Sequence, residues 1–383
     1  MKKHLMVIYP YKFTRFEYYK FELDNYDFKI DILDLSNNNK KFMKSWKSPR
    51  HPKVFAPKSL NSLLKYFKSK IKKKPVILNL NESERNLWTF LVKFLIKKNN
   101  LKEVVIKEKT FDIKTQKNFG WIINRIKEHS FNLKVHFFYL KSFFLYFLNK
   151  LLAHNNEFIF STEKFSSKYI HNFDYSNSIG YLKKKNKQRY VLYLDNGGPY
   201  FTGDTTHLGN KLPNYNIGKI YEDYELFFKK IQKDFNCKLI VVPHPKYKST
   251  NKNVKSYNPY FNKFIVDNRP DAINKLSNNV IFFLSKGSNA SLYATIFNIP
   301  IVFFYSSNHP YEHNEFKSIK QHAEILGTKP FDIRKYQKIS FKKHLRIKKK
   351  SYTNYFNSFC SQNQKFFNIK NSKLISDFIN NLK

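Results

Sequence analysis

The stretch "FFLSKGSNASLYATIFNIPIVFF", Phe282 to Phe304, decides the fold. An apolar run ends at Ser285, a Ser/Gly/Asn loop follows, "LYATIFN" has helical character, and "IPIVFF" is apolar again. Strand, loop, helix, strand in so short a span is the repeating unit of a parallel sheet, because parallel neighbours need a crossover between them. The same alternation extends upstream. "RYVLYLD" is a strand, "YEDYELFFKKIQKDF" a helix, "KLIVVPHP" and "NKFIVDN" are strands, and "RPDAINKLSNN" is a helix leading into "VIFFLS".

The first half carries its own alternation. "HLMVIYP" reads as a strand, "RFEYYKFELDNY" as a helix, "FKIDILDL" as a strand, and "SLNSLLKYFKSKIKK" as a helix capped by Ser59. "PVILNLN", "ERNLWTFLVKFLIKKN" and "KEVVIKE" continue it, and "LKVHFFYL", "KSFFLYFLNKLLAHN" and "EFIFSTE" repeat strand, helix, strand once more. Between the halves "FDYSNSIGYLKKKNKQ" has little apolar pattern and reads as a linker. The expected organisation is α/β, with two Rossmann-like domains facing a cleft. Residues 1–172 form an N-terminal acceptor domain, 173–188 a linker, and 189–335 a donor domain. Residues 336–383 form a basic C-terminal segment closed by the helix "NSKLISDFINNLK".

Composition bounds the function. The chain has 383 residues, 42% of them hydrophobic and 18% aromatic, far more than a disordered chain carries. Its formal net charge of +42 comes from lysine, in company with Asn, Ile, Phe and Tyr. All five have A/T-rich codons, so a biased genome accounts for part of the excess. The remainder suits phosphate-bearing partners: nucleotides, anionic lipid surfaces or polyanionic glycans. No zinc spacing, helix-turn-helix or ribonucleoprotein signature is present, so nucleic acid is not expected as a partner. Two distant cysteines, Cys237 and Cys360, make neither a disulfide framework nor a metal cluster. No apolar run has the length of a signal core or a membrane span. A cytoplasmic protein with peripheral contact at the inner membrane is the expectation.

Ligands of open parallel sheets sit beyond the carboxyl ends of the strands. Three such ends in the second half stand out. "LYLDNGG" brings Asp195 before Gly197 and Gly198, where paired glycines let the backbone approach a ligand and Asp195 could bind a hydroxyl or act as a base; a glycine turn capped by Asp195 fits equally. "KLIVVPHP" presents His244 between Pro243 and Pro245. His-Pro occurs three times, against about 0.4 expected from 12 His and 14 Pro, but only His244 follows a clean β-branched run. An imidazole there can donate to a phosphate oxygen. "SKGSNAS" offers Ser285, Gly287, Ser288, Asn289 and Ser291 at a helix start, either as a phosphate site or as an ordinary cap at Ser288.

Taken together, "LDNGG", "VVPHP", "SKGSNAS" and "NIPIVFFY" resemble the nucleotide-binding half of GT-B glycosyltransferases. The resemblance is nearest to bacterial surface-polysaccharide enzymes such as the sialyltransferases with His-Pro and Ser-Ser/Thr motifs. "VIYPYKFTRFEYYKFE" and "AEILGTKPFDI" are similar to bacterial surface-carbohydrate glycosyltransferases. The resemblance implies an inverting, metal-independent transferase without a cofactor. Its donor would be a nucleotide sugar, a CMP-linked acidic sugar among the options, and its acceptor a glycan or lipid-linked glycan of capsule or lipopolysaccharide. It further implies that His244, with Pro245, meets the nucleotide phosphate, and that Ser288 and Ser291 meet the donor's phosphate or carboxylate. The family's acidic motif departs here: "LDNGG" carries Asn in place of a second acid and opens the second domain instead of lying in the first. Asp195 is therefore assigned to the nucleotide side as well as to the catalytic candidates. A base belongs on the acceptor half, where Glu82 of "LNLNESERNLW" is the first choice against a helix-capping acid, and Lys12 and Arg15 are candidates for an anionic acceptor. Two rival classes are a polyol-phosphate transferase of the teichoic-acid type and a non-catalytic protein that binds polyanions or membranes.

Overall fold

The computed structural model describes residues 2–36, 51–80, 87–108, 144–145, 148, 151–163, 166, 168–181, 189–198, 200, 216–245, 258–308, 314–336 and 341–382. The expected strand "LKVHFFYL" lies outside them.

Two six-stranded parallel sheets organise the chain. In the first, β1 (His4–Tyr9), β2 (Lys29–Asp34), β3 (Val54–Phe55), β4 (Val76–Asn79), β5 (Glu103–Lys107) and β6 (Glu157–Ser161) lie in the order β3-β2-β1-β4-β5-β6. The second contains β7 (Tyr190–Leu194), β8 (Lys238–Val242), β9 (Ile265–Val266), β10 (Val280–Ser285), β11 (Ile301–Tyr305) and β12 (Phe331–Asp332), ordered β12-β11-β10-β7-β8-β9. These are one topology used twice: each chain half starts in the middle, runs three strands to one edge, then returns and runs three to the other. The order reverses between β1 and β4 and again between β7 and β10, and those reversals open crevices at the strands' carboxyl ends. The expectation of two Rossmann-like sheets holds.

The central strands are apolar on both faces because helices cover both. In the second sheet, one face packs against α5 (Ile217–Phe235) through Tyr224, Phe227 and Phe228. The other packs against α7 (Leu292–Ile296), α8 (Asn314–Ile325) and α9 (Lys349–Phe359), with Tyr352 and Tyr355 buried. In the first sheet, α2 (Leu60–Ile71) and α3 (Leu87–Lys98) bury Leu63, Phe67, Val92 and Ile96 on one side.

Three segments differ from the sequence reading. The helix expected over "RFEYYKFELDNY" stops early: α1 is Arg15–Lys20, and Glu22 takes a left-handed φ of 55°. That turn aims the Glu22 carboxylate inward, where it accepts from Ser176 Oγ and, at 2.8 Å, from the Ser372 amide. The stretch expected as a linker begins with a buried helix, α4 (Phe173–Ser178). Its polar side chains reach distant partners: Ser178 Oγ donates to Asn274 Oδ1 of α6 (Ala272–Leu276) at 2.8 Å, and Asn177 Nδ2 to Lys20 O at 2.7 Å. Finally, the C-terminal segment serves both sheets. It contributes α9 to the second and then α10 (Asn371–Asn381) to the first, where Ile375 and Ile379 join the core with Leu5, Val7 and Phe173.

Candidate functional site

A cleft of about 640 Å³ lies between the two crevices and takes its walls from both sheets. The second sheet supplies three loops. After β7, Asp195 and Asn196 reach the cleft. Asp195 is buried, and its Oδ1 accepts the Tyr193 hydroxyl at 3.2 Å and the Gly197 amide at 3.0 Å. These bonds make a side-chain-closed turn, which Gly197 permits with a φ of 86°. After β8, His244 lines the cleft with Pro243 and Pro245, half-buried at the strand's end as its position suggested. After β10 come Gly287, Ser288 and Asn289.

The helix start that the sequence suggested here is short. A single 3₁₀ turn, Asn289–Ser291, leads into the five residues of α7, so there is little macrodipole for an anion to use. Ser288 Oγ caps the turn by accepting the Ala290 amide at 3.2 Å. Ser285 and Ser291 are fully buried, their hydroxyls 3.3 Å apart, and Ser285 Oγ also accepts the Ser288 amide. They brace the loop from behind. Gly197 and Gly198 likewise lie beside the cleft: Gly198 O accepts Lys286 Nζ at 3.0 Å, and Asn196 Nδ2 donates to Lys286 O at 3.1 Å. Lys286, 2% exposed, thus staples the β7 loop to the β10 loop across the crevice. Nothing in the sequence distinguished it from the many surface lysines.

Two further side chains join this wall. Arg269, past the end of β9, holds Asp267 through Nε at 3.0 Å and Nη2 at 2.6 Å and lines the cleft. The strand-end rule that singled out His244 would have found it. His322 of α8 is buried, and burial pushes its pKa down to about 4, so it is a neutral imidazole near pH 7.

The first sheet supplies the opposite wall from the end of β1 and from α1: Tyr9, Tyr11, Lys12, Thr14, Glu17 and Lys20, with Asp174 of α4 beside them. Lys12 is therefore in the cleft. Arg15 is not: it is the exposed first residue of α1 and lies near His51, whose pKa burial lowers, with Lys53 and Arg15 adding to the effect. Glu82 falls outside the described residues. Glu17, a residue of "YPYKFTRFE" to which the sequence assigned no role, lines the cleft as well. It sits in the capping box of α1, where its Oε2 accepts the Thr14 amide at 2.9 Å and the Thr14 hydroxyl. Burial raises its pKa against those hydrogen bonds, and burial likewise raises that of Asp174, partly offset by Lys20. Lys20 pairs with Glu108 at 2.8 Å. Burial works to lower its pKa, but the carboxylates of Glu108, Asp174 and Glu17 outweigh that and raise it. Asp174 Oδ1 accepts the Tyr293 hydroxyl at 3.1 Å, a hydrogen bond that joins the two halves across the cleft floor.

Among the described residues, one group has metal-ligand spacing: Glu103, His154 and Glu157, at the amino ends of β5 and β6, away from the cleft. Lys93 already sits 3.2 Å from Glu157 Oε2, and Asn79 donates to Glu103 Oε1 at 2.9 Å. The cluster reads as a buried ion-pair network. No helix among the described residues is long and apolar enough to cross a membrane.

Two Rossmann-ordered sheets that share a cleft at their reversal points define an α/β architecture of the GT-B type. No family model and no curated protein sequence matches the chain. Solved structures do. A UDP-GlcNAc 2-epimerase from Neisseria meningitidis, bound to UDP-GlcNAc, aligns at 11% identity over 99% of this chain and 100% of its own, with a TM-score of 0.46. MurG from Acinetobacter baumannii aligns at 8% identity over 99% and 100%, TM-score 0.43. The wall teichoic acid polymerase TagF aligns at 11% identity over 99% and 88%, TM-score 0.45. At identities and scores this low, function has to be argued from the chain's own cleft.

Proposed function

We propose that the chain transfers a sugar from a nucleotide-activated donor to a hydroxyl of a glycan acceptor, with inversion and without a metal. One observation carries this reading: the cleft has two unlike walls. The second sheet's wall presents hydrogen-bond donors and a cation, through His244, Ser288, Asn289 and Arg269, which suits a phosphate-linked leaving group. The first sheet's wall presents aromatic rings and half-buried carboxyls, which suits a sugar and a proton transfer. An acceptor hydroxyl attacking the anomeric carbon needs that division: a base on one side and charge neutralisation on the other.

The finer form of the reading keeps a CMP-linked acidic sugar among the donors. It takes a lipid-linked or surface glycan as acceptor, met by a cytoplasmic enzyme at the inner membrane. The test is a heat-shift series with CMP, CDP, UDP and GDP, followed by transfer assays with sugars on the nucleotide that stabilises. Selective stabilisation by one nucleotide with turnover supports the reading. Selective CDP binding with transfer of a polyol phosphate would replace it, and absence of any nucleotide shift would favour a non-catalytic polyanion binder.

A further inference from the structure

We infer that Glu17 is the general base, the group that takes the proton of the acceptor hydroxyl; this rests on the transferase reading above. Glu17 stands where the first sheet's strand order reverses, just beyond β1, and it faces the wall that carries His244 and Ser288. Its hydrogen bonds from Thr14 both fall on Oε2, so the carboxylate is held in one orientation by its own helix cap. The other carboxyls at the cleft accept instead from groups of the second half of the chain. Asp174 Oδ1 takes the Tyr293 hydroxyl, and Asp195, on the phosphate side, closes its own turn.

The step balances without any further reactant. The acceptor O–H bond breaks and its proton passes to the Glu17 carboxylate. The acceptor oxygen bonds the anomeric carbon from the face opposite the phosphate, and the old C–O bond leaves its electron pair on the nucleotide's phosphate oxygen. Burial makes Glu17 a stronger base than an exposed carboxylate. The titratable groups coupled to it are Lys20 on its own helix and Tyr9 from β1, and Lys20 is shared with Asp174 from α4 and Glu108 beyond β5.

The decisive variant is Glu17→Gln, because glutamine still completes a Thr-x-x-Gln capping box and so spares the fold. Its melting temperature and nucleotide heat shift should match the wild type, while kcat falls by about 10²–10⁴ and the acid limb of the pH–rate profile disappears. Thr14, as a positioning residue, gives a second readout: Thr14→Ala should lower kcat about tenfold with KM little changed, and Thr14→Ser should restore it. A Glu17→Gln enzyme that keeps more than about a tenth of wild-type kcat overturns the inference while leaving the transferase reading intact. So does loss of the acid limb in Asp174→Asn but not in Glu17→Gln. A wild-type protein with neither nucleotide shift nor transfer removes both.

Discussion

The crevices at β1/β4 and β7/β10 occupy equivalent places in two sheets of identical strand order, yet they are furnished differently. The second is closed by small and polar loop residues, and its buried lysine, Lys286, is spent on holding two loops together. The first carries ionisable groups packed against one another: Glu17, Lys20, Asp174 and Glu108. One topology therefore carries a wall of braced polar loops in one half and a wall of packed ionisable groups in the other. In a chain of net charge +42, the cleft's charged residues balance, Lys12, Lys20 and Arg269 against Glu17, Asp174 and Asp195. The cleft is thus not where the excess charge accumulates.

The difference can be broken most directly at His244. If the second wall only neutralises the leaving phosphate, His244→Ala should lower kcat by about 10²–10³ with the melting temperature unchanged, as loss of one well-placed donor to developing charge does. It should also weaken the nucleotide heat shift, whereas Glu17→Gln leaves that shift alone. Full turnover in His244→Ala would show that the two walls do not divide the work.

A slightly smaller effect is expected from His322, behind the same wall. Its folded pKa of about 4 lies below the ordinary 6.5, so the unfolded chain takes up the proton first as pH falls. The stability tied to keeping it neutral is complete above pH 6.5 and is lost as pH drops towards 4, amounting to about 3 kcal/mol. Urea midpoints at pH 7 and pH 4.5 should show a smaller acid loss for His322→Asn than for the wild type, and equal losses would refute the assignment.

Gly287 sharpens the picture of braced loops. Its φ of 81° is left-handed, and a Cβ would stand 3.0 Å from the Ile319 amide nitrogen and 3.1 Å from the Ser318 carbonyl carbon. Gly287→Ala should cost about 1–3 kcal/mol from backbone strain alone. Because α8 cannot yield at its backbone, the loop should move and nucleotide binding should weaken too. Denaturation and heat-shift measurements on one preparation would check both.

These assignments were unequally visible in the sequence. Strands such as β7, β8 and β11 read clearly because strands covered on both faces are unbroken apolar runs, whereas β3 and β12 are short pairs set between lysines and prolines and leave no pattern. His244 was visible because prolines mark the end of such a run. Glu17 was hidden by its own local role, since Thr-x-x-Glu is fully explained as a helix start. α4 was hidden for a different reason: "FDYSNS" is buried through individual partners in distant segments, Glu22 and Asn274 among them, and pairings of that kind have no period. For Ser285 and Ser291, whose hydroxyls meet behind the loop, the sequence shows that a hydroxyl is present but not the direction it faces.

The smallest effect separates Lys12 from Arg15, two cations three positions apart that the sequence could not tell apart. Lys12 precedes α1 and lines the cleft, while Arg15 opens the helix and is exposed on the side of His51, whose ring stacks on Tyr18 at 3.9 Å. Lys12→Ala should raise the acceptor KM about threefold to fivefold, the scale of one partly solvated charge contact. Arg15→Ala should leave both kinetic constants within about twofold and act instead on His51, whose pKa rises when a neighbouring positive charge is removed. Steady-state kinetics and an NMR titration of His51 in the two variants make the comparison. An acceptor KM that responds to Arg15 and not to Lys12 would mean that the acceptor approaches over the outer face of α1 instead of through the cleft.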